Sequence, residues 1–139
     1  GMAYIGIPVA SLAAFLFGAF WYTGFSRPWL EALEVDRETL GRRMRPLNPM
    51  LASALALLFL AASLSWVLDR MSVVGWHWGA MCGLIIGAGL IAPVILVTYI
   101  FPGRKPMLML LDAGHWVCVF TIMGGILGFV SGIDFVALR

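Results

Sequence analysis

Apolar positions along the chain fall into four long runs, 3–25, 50–68, 73–101 and 107–130, and the stretches between them hold nearly all of the charge. A run of about 18 or more mostly apolar residues can cross a hydrocarbon core about 30 Å thick as an α-helix. The pattern therefore predicts an all-α membrane protein with a single domain over 3–130, in which four transmembrane helices form one bundle. As a straight helix the third run would be about 43 Å long, more than the core needs, so it must tilt, kink or project into the interface. Pro93 is the expected kink point, because it has no N–H to return to the carbonyl of Gly89. Residues 131–139 read as a short tail.

The first connection, 26–49, has structure of its own. Pro28 suits a first helical turn, Glu34 with Arg37 and Glu38 with Arg42 stand at helical spacing, and Trp29, Leu33, Leu40, Met44 and Leu47 keep a rough apolar stripe. One or two short amphipathic helices on the cytoplasmic surface are expected, with Arg42, Arg43 and Arg45 near anionic headgroups. A solvated connector with ordinary charges is the alternative.

Composition agrees with the pattern. The chain is 62% hydrophobic and 12% charged, with a mean hydropathy of +0.98, which excludes a soluble domain. Nine Lys and Arg against seven Asp and Glu leave no basic surface for nucleic acid. Cys82 and Cys118 lie inside apolar runs, where they read as small core residues and not as a disulfide framework. The first run has neither a basic leader nor an Ala-x-Ala cleavage site, so it reads as a retained helix.

Seven of the nine basic residues fall in the first and third connections: Arg27, Arg37, Arg42, Arg43, Arg45, Arg104 and Lys105. Only Arg70 and Arg139 fall on the other side, so the positive-inside rule puts both termini outside the cytoplasm. Tyr4, Trp66, Trp76 and Trp78 would mark the outer interface, and Trp21, Tyr22, Trp29, Tyr99 and Phe101 the inner one.

Small residues recur every four positions: Gly79, Gly83 and Gly87 in the third run, Gly124, Gly128 and Gly132 in the fourth, and Ala10, Ala14 and Gly18 in the first. Such rows let helix backbones approach closely in lipid. They serve either packing within one chain or contacts in a homo-oligomer.

Asp112 and His115 share a face of the fourth run, roughly 8 to 12 Å beyond its basic end. A charged Asp near mid-bilayer costs about 2.5 to 3.5 kcal/mol on insertion scales, so it needs a partner or a wet cavity. Tyr22 and Tyr99 lie at the same depth, and Arg27, Arg104 or Lys105 could reach from the interface. The cluster reads as an interhelical hydrogen-bond network, as a proton-linked or small-ligand site, or as a metal site short of ligands. His77, between Trp76 and Trp78, reads as an interfacial anchor. No phosphate loop, CxxC, HExxH or GxSxG is present, so no catalytic residue, cofactor or metal set is assigned.

These residues also carry a family likeness. Ala13 to Gly24 reads AAFLFGAFWYTG, Trp29 and an acidic-basic loop follow, and later come Tyr99-Ile-Phe, a short basic loop, LLDAGHW and MGGILGF. The set resembles the small bacterial membrane family catalogued as domain of unknown function 1761, over nearly the whole chain. The resemblance implies four transmembrane helices in a bacterial inner membrane and no established activity. That family commonly has Asn at the position of Asp112; an amide serves a hydrogen-bond network but exchanges no proton. Small multidrug transporters are also short four-helix proteins, but they depend on an acid in the first helix, and residues 3–25 contain none. The expectation is a non-enzymatic, self-associating structural or accessory protein. The alternative is a small-molecule or ion transporter or binder whose inward-facing pocket is built from Tyr22, Tyr99, Asp112 and His115.

Overall fold

The computed structural model describes residues 3–137. Among them the chain is all-helical, and four helices are long and apolar enough to cross a membrane. The first is α1 (Ala3–Gly24). Two short helices, α2 (Ser26–Leu33) and α3 (Arg37–Met44), fill the connection to α4 (Pro49–Arg70). The third crossing is composite, with α5 (Trp76–Ile86), a π-helical turn over Gly87–Ile91, and α6 (Ala92–Ile100). The last is α7 (Pro106–Ala137).

Local chemistry sets several of these boundaries. Asp36 caps α3 by accepting from the Thr39 N–H at 2.6 Å, and Asn48 caps α4 by accepting from the Leu51 N–H at 3.0 Å, with Pro49 at the start of the helix. Glu34 takes a left-handed conformation, φ 61°, and ends α2. It is therefore off any helix and does not pair with Arg37; its carboxylate meets Lys105 Nζ at 3.2 Å instead. Among the described residues Glu38 and Arg42 form no ion pair either.

α7 is the centre of the bundle and packs against α1, α2, α4, α5 and α6. The core lies on its inner face, where Val119 and Met123 meet Ala10 and Ala14 of α1 and Ala61 and Leu64 of α4. Large apolar side chains such as Phe20, Phe59 and Leu90 point outward, as helices facing lipid tails require. The sequence expectation ended the fourth span at 130, but the helix continues to Ala137, since Gly132 still packs beside Gly75. Arg139, counted above for orientation, lies outside the described residues.

The glycine rows settle against each other inside the chain. A Cβ added at Gly79 would strike the Gly124 carbonyl, one at Gly83 the Phe120 carbonyl, and one at Gly128 the Gly75 carbonyl. A Cβ added at Gly87 would come within 2.9 Å of the Val117 Cα. The Gly75 N–H also donates to the Gly128 carbonyl at 2.9 Å, tying the start of α5 to α7 by backbone alone. Ala10 and Ala14 are fully buried in the same core, and Gly18 lies under His115. Of the two roles weighed for Gly79, Gly83, Gly87, Gly124 and Gly128, packing within one chain is the one these contacts display. These faces pack α5 against α7.

The third crossing is irregular close to where Pro93 pointed, but as a π turn just ahead of the proline. The Ala92 N–H reaches back to the Gly87 carbonyl, five residues away. One extra residue in a turn shifts the phase of everything after it by about 100°. In an unbroken α-helix Tyr99 would face about 120° away from Gly87, whereas with the π turn it falls about 20° from it. The bulge therefore turns Tyr99 onto the face that meets α7.

Candidate functional site

Four helices converge on one carboxylate near the end of the bundle that carries the basic connections. Asp112, on the second turn of α7, is 9% exposed. Its Oδ1 accepts from Tyr22 Oη of α1 at 2.7 Å and from Trp29 Nε1 of α2 at 3.1 Å. Its Oδ2 accepts from Tyr99 Oη of α6 at 2.7 Å. Both oxygens are occupied, and all three donors are neutral groups. Arg27, Arg104 and Lys105, expected as reserve partners, make no ion pair with Asp112. Hydroxyl and indole donors have taken their place.

His115 stands one turn deeper, 7% exposed, in an aromatic cage. Its ring lies 4.9 Å from the rings of Tyr22 and Trp116, and Phe17 stacks on it at 6.1 Å. Gly18 makes room for the imidazole edge, since a Cβ there would come within 3.1 Å of Nε2. Buried His115 Nδ1 has no hydrogen-bond partner, and the same holds for Trp21 Nε1 on the neighbouring helix. Trp21 packs over Gly114 and lies 6.5 Å from the His115 ring.

Beyond this layer the interior changes character. One to three turns further along α7 come Val119, Phe120, Met123 and Leu127, all buried, facing Leu57, Ala61 and Leu64 of α4. Ser11 is the one buried polar side chain at that level among the described residues. The polar cluster lies toward one end of the bundle, and apolar packing closes the interior beyond it.

The four residues singled out from sequence, Tyr22, Tyr99, Asp112 and His115, are thus neighbours. Sequence reasoning missed Trp29, which it placed with Trp21 among the interfacial anchors. Trp29 is drawn inward by its indole N–H, and Trp21 is half-buried against α7, so neither is a free anchor. Trp29 was legible only as an aromatic residue on a helical stripe, since its partner lies 83 positions away. Trp66, Trp76 and Trp78 are exposed on the outside of the bundle, with Arg70 stacked over Trp66 at 5.0 Å. His77 touches both of its tryptophan neighbours there.

Cys82 and Cys118 are free thiols. No group of three or more His, Cys, Asp or Glu side chains suited to a metal gathers among the described residues. Chemically, the site can hold a carboxylate in a neutral hydrogen-bonding cradle and offer a buried imidazole nitrogen beside it.

No curated protein and no solved structure shows a significant match to the chain. A family match covers residues 5–128, nearly all of the bundle and every residue of the Asp112 cluster. The chain belongs to the protein family of unknown function DUF1761.

Proposed function

We propose that the protein is a non-enzymatic structural or accessory component of the bacterial inner membrane, with both chain ends outside the cytoplasm. In this reading the Asp112 cluster is a fastener that clamps the first connection onto the bundle. The observation that carries it is the full occupancy of both Asp112 oxygens by donors from α1, α2 and α6. Apolar packing behind the cluster supports the same reading, since a transport path would need polar groups on both sides. Orientation rests on the basic residues of the two connections. Reconstituted vesicles carrying an internal pH dye test it. The parent protein and Asp112→Asn should show the same background proton flux, and a flux present in the parent and lost in the variant would overturn it.

A second reading, a small-ligand binder at the basic end of the bundle, is favoured by one observation. His115 Nδ1 and Trp21 Nε1 are buried and unpartnered in adjacent side chains, and a buried polar atom without a partner costs about 1 to 3 kcal/mol. A small molecule with a donor and an acceptor would satisfy both. His115→Phe distinguishes the readings, because it should leave stability level or higher if the cluster is structural alone.

A further inference from the structure

Among the described residues the basic helix of the first connection pairs none of its arginines and packs only loosely. α3 buries none of its residues. Arg37, Arg42, Arg43 and Arg45 form no ion pair among the described residues. Its acids stand at the start, where Asp36 caps the helix and Glu38 occupies the first turn, as the helix dipole favours. Its bases gather at the end, so that residues 40–48 carry Arg42, Arg43 and Arg45 and no acid.

The arrangement around the helix is equally uneven. Taking Leu40 as reference, Met44 lies about 40° away, while Arg37 and Arg43 flank it at about 60° on either side. Glu38 and Arg42 fall on the opposite face. This is the order of an interfacial helix, with an apolar stripe, cations at the waterline and the remaining charge in water. Exposed Leu47, Met50 and Leu51 continue the apolar surface into the start of α4. Placement follows from the chain itself. α3 follows α2, which is docked on α7, and leads into the start of α4, with Arg45 four residues before Pro49, where α4 begins.

We propose that α3 is a docking surface for the anionic phospholipid headgroups of the bilayer that the protein spans. Leu40 and Met44 enter the headgroup boundary, and Arg37 and Arg43 pair with phosphates on either side. Arg42 and Arg45 add charge within a Debye length of the surface. Charge complementarity selects this occupant, since the helix is held at a lipid surface with four unpaired guanidinium groups. The inference is independent of the role assigned to Asp112.

Hydrogen exchange of residues 37–45, measured in nanodiscs of phosphatidylcholine and in nanodiscs that also contain phosphatidylglycerol, tests it. Each surface arginine contributes about fivefold in affinity for an anionic bilayer. Exchange in the parent should therefore be at least ~10-fold slower in the anionic discs. The difference should shrink at high salt and disappear in R42Q/R43Q/R45Q, with exchange of α7 unchanged as the folding control. Equal exchange in the two disc types, or a difference that survives in the triple variant, overturns the proposal. Protection that follows protein concentration and not lipid charge assigns the face to a second copy and overturns it as well. Should the triple variant fail its folding control, the salt titration of the parent decides, and a salt-insensitive difference counts against the proposal.

Discussion

The Trp29 indole N–H donates to Asp112 Oδ1 at 3.1 Å across 83 positions of sequence, and this bond docks α2 on α7. Another tie between the first connection and the rest of the chain, Lys105 to Glu34, is exposed at both ends, with side chains 55% and 67% accessible. An exposed pair of this kind contributes about 0 to 1 kcal/mol and weakens with salt. A hydrogen bond to a buried carboxylate is worth more. Trp29→Phe should therefore raise the rate of proteolysis within 26–48 well above that of Lys105→Gln. Equal rates would show that the indole bond does not hold α2.

Asp112 separates two substitutions of similar size. Asn at this position keeps one acceptor, and its amide can donate to a tyrosine hydroxyl, so the network can be rewired. Leu leaves three donors buried without an acceptor. Each orphaned donor costs about 1 kcal/mol or more, though partners found in the unfolded chain within the membrane lower this. Unfolding in mixed micelles should show Asp112→Asn within about 1 kcal/mol of the parent and Asp112→Leu lower by about 2 to 4 kcal/mol. A Leu variant as stable as the parent would mean that the cluster is not a fastener.

Glycine substitutions should divide by position. At Gly83 a methyl group would meet the Phe120 carbonyl, which belongs to a rigid helix and cannot step aside. Gly83→Ala must push α5 and α7 apart and should cost about 2 kcal/mol or more. At Gly41 in α3 nothing lies within 4 Å, and Ala is the better helix former by about 1 kcal/mol. Gly41→Ala should slow exchange in α3 and leave the bundle unchanged. Thermal melts and hydrogen exchange of the two variants would show whether the effects fall as stated.

The pH response of the first connection has a definite sign. Hydrogen bonds from Thr39, its side chain first and then its backbone N–H, hold the Asp36 carboxyl below the usual carboxylate range. A folded pKa below the unfolded one means that this contribution to α3 is complete above about pH 4 and is lost as pH falls through the folded value. Amide exchange at Thr39 should accelerate on acidification below pH 4 in the parent. It should become pH-independent, apart from intrinsic chemistry, in Asp36→Asn. Identical acid profiles for the two would remove Asp36 as the cause.

Much of this protein is a local property of its sequence. Whether a stretch of about 20 residues prefers lipid depends on its own side chains and needs no partner, so the four spans were legible, and so was Asp112 as an acid needing company at membrane depth. Tyr22 and Tyr99 could be matched to it because helical rise fixes depth. Rise does not fix rotation about each helix axis, and rotation decided the rest. The π turn at Gly87–Ile91 swings Tyr99 into place, and no periodicity announces a one-residue bulge. The glycine spacing of α5 and α7 fits a partner helix from the same chain or from another. Only the packed bundle shows that the two rows face each other. Trp29 looked like an interfacial anchor because an indole at that depth is satisfied equally by water, headgroups or protein. The carboxylate that accepts its hydrogen bond was brought there by tertiary packing.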